Sequence, residues 1–252
     1  MTKRLTPWII TIGFLLAWQL VCTAFKVADF ILPTPTEIVS ALVAYAHPIA
    51  TNALQTLFTT LVGFGLAVLF GLLLGLAIGS SRFVYDGVYP MMIGFNSIPK
   101  VALMPIVVVW FGIGTIPAVI IAFLLAFFPI MVNVAAGLTT IEPELKDVMR
   151  VLGARPWQIL VKIGIPRSMP YFFASLKVAI GLAFVGSVIS ETVASNAGIG
   201  YLMMVAGGRF DMPLVFAGLV VVAVMGVVMY EIFAWLERHV TFWATRAHDQ
   251  AS

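Results

Sequence analysis

Thr139-Thr140-Ile141-Glu142-Pro143-Glu144-Leu145-Lys146-Asp147-Val148-Met149-Arg150-Val151-Leu152-Gly153-Ala154-Arg155-Pro156-Trp157 opens the one long hydrophilic interruption of an apolar chain. Residues 139–167 hold Glu142, Glu144, Lys146, Asp147, Arg150, Arg155, Lys162 and Arg167, eight of 25 charged residues (14 basic and 11 acidic). Upstream, no charge falls between Val101 and Ile141. Across all 252 residues, 62% are hydrophobic and 10% charged, with a mean hydropathy of +1.08. Soluble domains average roughly 45–50% apolar and about 25% charged. A soluble or disordered chain is therefore excluded, and an integral membrane protein forming one helical unit is expected.

Outward from the interruption, the apolar runs divide into six spans of about 20 residues each, the length a helix needs to cross a bilayer. They are expected near 7–25, 52–80, 87–111, 117–138, 168–190 and 213–236. The first run follows Lys3 and Arg4 and resembles a signal peptide, but no clean small-x-small cleavage site follows it, so it reads as an uncleaved span. The third has to begin near Gly87 and carry Lys100, because only Val101 to Phe111 separate Lys100 from the turn Gly112-Ile113-Gly114-Thr115-Ile116-Pro117. Within the second, Gly63, Ala67, Gly71, Gly75 and Gly79 recur every four residues as a row of small side chains, a device for close helix approach in lipid. Thr34, Pro35 and Glu37 stand at capping-box spacing and start a short helix over 35–46, read either as a periplasmic surface helix or as a connecting one. Glu191 to Gly208 is expected to be a non-spanning connection. Cys22 is the single cysteine, so no internal disulfide forms.

Six spans place both termini on one face, and the basic residues show which. Lys3, Arg4, Arg82, Lys146, Arg150, Arg155, Lys162, Arg167, Arg238 and Arg246 share the side of the interruption; Lys26 and Arg209 lie opposite; Lys100 and Lys177 lie within spans. Ten against two predicts that the termini and the 139–167 loop are cytoplasmic. This distribution also explains the formal charge of +3 and the pI near 9.1 without a nucleic-acid partner.

In the loop, Pro143 suits a first helical turn, while Leu145, Met149 and Leu152 fall on one face. Gly153 suits the position past a helix end, where positive φ is needed. A second short helix starts at Pro156, and Gly164-Ile165-Pro166 is expected to stop it before the fifth span. Two short helices joined at a glycine predict a rigid knob on the inner membrane face.

Asp147-Val148-Met149, Gly153 six residues after Asp147, and Ile163-Gly164-Ile165-Pro166 resemble the EAA loop of ABC importer permeases. That loop runs Glu-Ala-Ala, three residues, Gly, nine residues, Ile-x-Leu-Pro. Asp147, Val148, Met149 and Ile165 depart from it, while Gly153, Ile163 and Pro166 are in register. Leu32-Pro33-Thr34-Pro35, Ile98-Pro99-Lys100-Val101-Ala102-Leu103-Met104-Pro105, Trp110-Phe111-Gly112-Ile113-Gly114, Glu191 and Gly198-Ile199-Gly200-Tyr201 resemble the nitrate, sulfonate, taurine and bicarbonate branch, with relatives for riboflavin and pyrimidine precursors. Asn96 departs from the arginine of many relatives.

The resemblance implies an all-α permease of type I architecture, six transmembrane helices with a cytoplasmic two-helix coupling loop, in the bacterial inner membrane. It further implies a second permease copy (a homodimer), two cytoplasmic ABC ATPases, and a periplasmic or lipid-anchored substrate-binding protein. Glu144, Asp147, Val148, Met149, Arg150, Gly153, Ala154, Ile163 and Pro166 become the ATPase-coupling residues. Arg150 and Arg155 read either as partners for ATPase acids or as solvated loop charges. No G-x-x-x-x-G-K-[ST] occurs, so ATP and Mg are expected in the partner ATPase and no cofactor in this chain. The implied cargo is a small solute: an organic anion of the sulfonate, taurine or nitrate kind, or a heterocyclic vitamin precursor.

Candidate pathway residues are Asn96, Lys100, Asn133 and Glu191. A lysine at a span's centre costs about 2.5–3.5 kcal/mol on insertion scales, so Lys100 needs water, an acid or a reach to the interface. Either it draws an anion into a cavity or it snorkels or pairs structurally. Asn96 and Asn133 line the pathway or bond between helices. Lys177 is explained by snorkelling or an acidic neighbour, and Glu191 by an outer gate or an interfacial role. An ion channel, prompted by Gly198-Ile199-Gly200-Tyr201, or another ATP-independent transporter leaves the structured loop unexplained. No intramembrane protease motif occurs, and His47, His239 and His248 are scattered, so neither an enzyme nor a metal site is expected.

Overall fold

Described over residues 2–140 and 142–240, the computed structural model is a bundle of eleven α-helices: α1 Thr2–Ala24, α2 Pro35–Ala44, α3 Ala46–Gly79, α4 Arg82–Ser97, α5 Met104–Phe111, α6 Thr115–Thr139, α7 Pro143–Val151, α8 Pro156–Ile159, α9 Ile165–Ala194, α10 Ile199–Gly208 and α11 Met212–Val240. Arg246 and His248 lie outside the described residues. Among the described residues α3, α6, α11 and the continuous helical run Pro156–Ala194 are each long and apolar enough to cross a bilayer. The apolar part of α1, Ile9–Ala24, is shorter.

The core is α3 against α6 against α9, closed by α11. Phe64 and Ala67 meet Ala122, Ala126, Ile130 and Val134, which meet Leu176, Ile180, Ala183 and Phe184, with Met229 from α11. The row of small residues on α3 makes this approach possible. A Cβ built on Gly75 would lie 2.8 Å from the Met131 carbonyl oxygen, and one on Gly79 would lie 2.8 Å from that of Ala135. Here the row is buried inside the chain's own bundle, as the close-packing expectation has it.

One segment differs from the sequence expectation. The third apolar run is not one helix. It breaks at Ile98 and Pro99, passes through a tight 3₁₀ turn at Lys100–Leu103, and continues as α5 at 72° to α4. Pro99 cannot donate into α4, and its ring disfavours helical backbone at Ile98, where ψ is 125°. The connection after the fifth apolar run does not span, in line with the expectation, and holds the ten-residue helix α10.

At the other end of α3, the capping box of α2 is formed. Thr34 Oγ1 accepts from the Glu37 amide at 3.3 Å, and Glu37 Oε2 accepts from the Thr34 amide at 2.7 Å. Ile38 and Ala41 of α2 pack with Ile199 and Ala206 of α10 and Leu214 and Ala217 of α11. One face of α2 is therefore fastened to the bundle.

Candidate functional site

The hydrophilic interruption folds into an elbow of two helices. Glu144 in the first turn of α7 and Arg150 in its last turn complement the helix dipole. At its end the Gly153 amide donates to the Arg150 carbonyl and the Ala154 amide to the Met149 carbonyl, both at 2.9 Å. These are the paired bonds of a Schellman closure, with Gly153 in the left-handed conformation at φ +80°. The Arg155 amide then donates to Gln158 Oε1 at 2.8 Å and starts α8, with Pro156 in its first turn.

Gly164-Ile165-Pro166 does not stop this helix, contrary to the sequence expectation. Residues Leu160–Gly164 form one π turn that runs directly into α9, with Pro166 in the first turn of α9. Wider π bonding, in which the Ile165 amide reaches the Leu160 carbonyl, lets the chain accept a residue that lacks an amide hydrogen. Pro156–Ala194 is consequently one continuous helical run of 39 residues. Glu142, before α7, and Arg167, at the base of α9, are 3.7 Å apart and bridge the elbow's entry and exit.

On the elbow's surface Val151 is 88% and Leu152 75% exposed, and Val148 and Trp157 are also exposed. Leu152 therefore does not share the half-buried setting of Leu145 and Met149 that common helical spacing predicts. Ala154 and Ile163 are half-buried, and Pro166 is exposed. Arg150 Nη1 donates to Asp147 Oδ1 at 2.9 Å on the exposed side of α7, a pair that contributes little to stability by itself. A groove of about 470 Å³ separates the elbow from the ends of α3 and α4, lined by Gly79, Ser80, Arg82, Arg150 and Trp157.

Of the four candidate pathway residues Asn96 and Lys100 meet, while Asn133 and Glu191 bond elsewhere. Asn133 Nδ2 donates at 2.8 Å to the Pro129 carbonyl of its own helix, not across to another. Lys100 Nζ donates at 2.9 Å to both the carbonyl and Oδ1 of Asn96. In an unbroken helix the Lys100 amide would take that carbonyl, so the side chain replaces a backbone bond that the break removes. The same ammonium is 5.6 Å from the centre of the Phe128 ring.

Glu191 is 1% exposed, buried where an interfacial position was expected. Its Oε2 accepts from Thr56 Oγ1 at 2.7 Å and from the Gly200 amide at 3.3 Å, and its Oε1 accepts from Thr59 Oγ1 at 3.1 Å. Beside it, Asn52 Oδ1 accepts from the Gly198 amide and Thr56 Oγ1 from the Ile199 amide, both at 2.8 Å. The three amides at the start of α10, which have no partner inside that helix, are thus satisfied by α3 and α9. Sequence reasoning missed Asn52, Thr56 and Thr59; the available signal was a set of hydrogen-bonding side chains on one face of an apolar helix. Lys177 has the acidic neighbour expected of it: Glu237 Oε2 of α11 lies 2.6 Å from its Nζ.

Known proteins resemble the chain throughout. The riboflavin transport system permease protein RibX of Chloroflexus aurantiacus is 32% identical over 91% of this chain and 86% of its own. The formylaminopyrimidine transport permease protein ThiX of Halalkalibacterium halodurans is 28% identical over 96% of both. The taurine transport system permease protein TauC of Escherichia coli is 26% identical over 96% of this chain and 91% of its own. A chain of the MetNI methionine ABC transporter, in an inward-facing crystal structure, shares the fold, with a TM-score of 0.62, 20% identity, and coverage of 83% of this chain and 99% of that one. Residues 67–242 match the family described as binding-protein-dependent transport system inner membrane component, and the chain belongs to this family as the permease subunit of an ABC importer, with ATP hydrolysis in a separate subunit.

Proposed function

We propose that two copies of this chain form the translocation pathway, with one ATPase docked beneath each elbow. A substrate-binding protein delivers the solute at the opposite face. The chain crosses the membrane six times, with termini and elbow cytoplasmic, in keeping with ten basic residues on that side against two on the other. ATP and Mg are held by the partner ATPases. Closure of the ATPases pulls the elbows together and opens the cavity outward; hydrolysis resets it inward. Asp147, Val148, Met149, Arg150, Gly153 and Ala154 meet the ATPase, while Glu144, Ile163 and Pro166 set the elbow's shape. The cargo is a small organic anion or heterocycle, in keeping with the riboflavin, formylaminopyrimidine and taurine relatives.

One observation carries this reading: the exposed elbow is helically continuous with α9 through residues Pro156–Ala194. A displacement of α8 is then transmitted into the core helix without passing a flexible joint. The test is a Val151→Cys variant, co-expressed with its ATPase and treated with a short thiol crosslinker. A permease–ATPase adduct is expected. No adduct, together with labelling of that thiol from outside intact cells, overturns the reading.

A further inference from the structure

Beside the elbow lies a basic groove that the coupling role does not use. It has a volume of about 470 Å³, and its walls include Arg82 of α4, Arg150 of α7, Gly79, Leu138, Trp157 and Gly164. Three membrane-crossing helices begin or end there: α3 ends at Gly79, Leu138 is one residue from the end of α6, and Gly164 immediately precedes α9. The groove is therefore level with the lipid headgroups, a depth at which tryptophan is enriched, and Trp157 is 63% exposed there.

Neither arginine is saturated by its acid. Arg82 Nε stands 4.0 Å from Asp86 Oδ2, beyond hydrogen-bonding distance, and both side chains are largely exposed. Arg150 gives Asp147 one bond at 2.9 Å, whereas a guanidinium carries five N–H donors. Solvated pairs of this kind are weak and yield to an anion that is held from two sides. No side chain caps the first turn of α4, so the positive end of its dipole adds to the two guanidinium groups. Next to these charges the surface turns apolar: Phe83, which follows Arg82, is 89% exposed.

We propose that this groove holds the headgroup of an anionic phospholipid, its phosphate shared between Arg82 and Arg150 and its acyl chains lying beside Phe83. Guanidinium and phosphate pair through parallel N–H bonds, so two arginines from different helices bind one phosphate and tie α4 to α7. The lipid thus fastens the elbow to the start of the third apolar run. A soluble anion matches the charge but leaves Phe83 bare, and an acidic ATPase side chain would have to reach past the elbow to headgroup level. The site is additional to the coupling role and does not require it.

The test is native mass spectrometry of the assembled transporter offered equal amounts of dioctanoyl phosphatidylglycerol and dioctanoyl phosphatidylcholine. Phosphatidylglycerol is expected to be retained in about tenfold excess or more. Arg82→Gln lowers that preference about fivefold and Arg82→Lys keeps most of it. Arg238→Gln, a matched loss of charge in the last turn of α11, leaves it unchanged. Glycerol 3-phosphate at the same concentration does not displace the lipid. Equal retention of the two lipids, an unaltered preference in Arg82→Gln, or an equal fall in Arg82→Gln and Arg238→Gln overturns the proposal. Displacement by glycerol 3-phosphate assigns the groove to a soluble anion and also overturns it. So does an Arg82→Cys variant that joins to the ATPase through a short thiol crosslinker, which assigns the groove to that subunit. The two lipids are compared on the wild type, so that arm stands even if a substitution impairs assembly. A negative result leaves the elbow's role intact, and failure of the Val151→Cys crosslink leaves this result standing.

Discussion

Gly153 holds φ at +80°, and a Cβ built there meets nothing within 4 Å. The demand for glycine is therefore conformational and not spatial, and a left-handed non-glycine residue costs about 1–2 kcal/mol. Gly153→Ala is expected to retain most coupled uptake. Gly153→Val, β-branched as well, is expected to reach the membrane at wild-type level while ATP hydrolysis no longer drives uptake; ATPase and uptake rates measured on the same proteoliposomes check this. Normal coupling in the valine variant would remove the elbow's closure from the mechanism. Glu191 is a different case, because its carboxylate serves Thr56, Thr59 and the Gly200 amide together. Glu191→Ala leaves the buried Gly200 amide without an acceptor, at about 1–3 kcal/mol, while the Thr56 and Thr59 hydroxyls keep only the Asn52 and Thr56 carbonyls. Glu191→Gln keeps one acceptor oxygen, so its melting temperature should fall between those of wild type and Glu191→Ala.

For the helices as units, the most extensive contact is α3 on α6, and it depends on side chains that are absent. Gly75→Leu forces new atoms against the Met131 carbonyl and the Val134 side chain, both within 3 Å of the built Cβ. Overpacking of this kind costs typically 1–3 kcal/mol, and the assembled complex should melt earlier in scanning fluorimetry. Gly65, with nothing near its Cβ position, should accept alanine with no such loss. The row of small residues was legible in the sequence because its period of four matches a helix face. Its partner helix was not, because a periodicity describes one helix and not the surface it meets. The break in the third apolar run at Pro99 was not anticipated by the reading of one span from Gly87. Its 72° bend was not legible either, since that angle is set by where α5 finds its contacts: Met104 and Val107 pack with Ile121 of α6 and Ala194 at the end of α9.

Across the molecule, charge placement ties the parts together. Lys177 and Glu237 join α9, the helix continuous with the elbow, to α11 at the chain's far end. Both side chains are 22% exposed, so solvent screens the pair only in part. Lys177→Glu should lower the yield of folded protein in membranes, and the exchange Lys177→Glu with Glu237→Lys should restore it. Unchanged yield in the single variant would reduce the pair to an incidental contact. Orientation is tested in the same preparations: a thiol at Glu144 should be shielded from an impermeant reagent in intact cells and one at His47 should react, while the reverse would invert the topology.

Composition and apolar run length sufficed for a helical membrane protein, and the spacing from Asp147 to Pro166 for its resemblance to the permeases. Each of these depends on residues near one another in the chain: bilayer thickness sets the run lengths, and backbone geometry sets the glycine and proline positions. The capping box at Thr34 and Glu37 belongs with them, being contained in one helical turn. Only the tertiary structure decided that Glu191 is a buried clasp, that Lys177 is neutralised while Lys100 is not, and that α8 runs unbroken into α9. The first two depend on partners brought together by packing from distant parts of the chain, Thr56 to Glu191 and Lys177 to Glu237. The third depends on a shift of hydrogen-bond register at Leu160–Gly164, held between a docked elbow and a packed core, where proline alone reads as a stop.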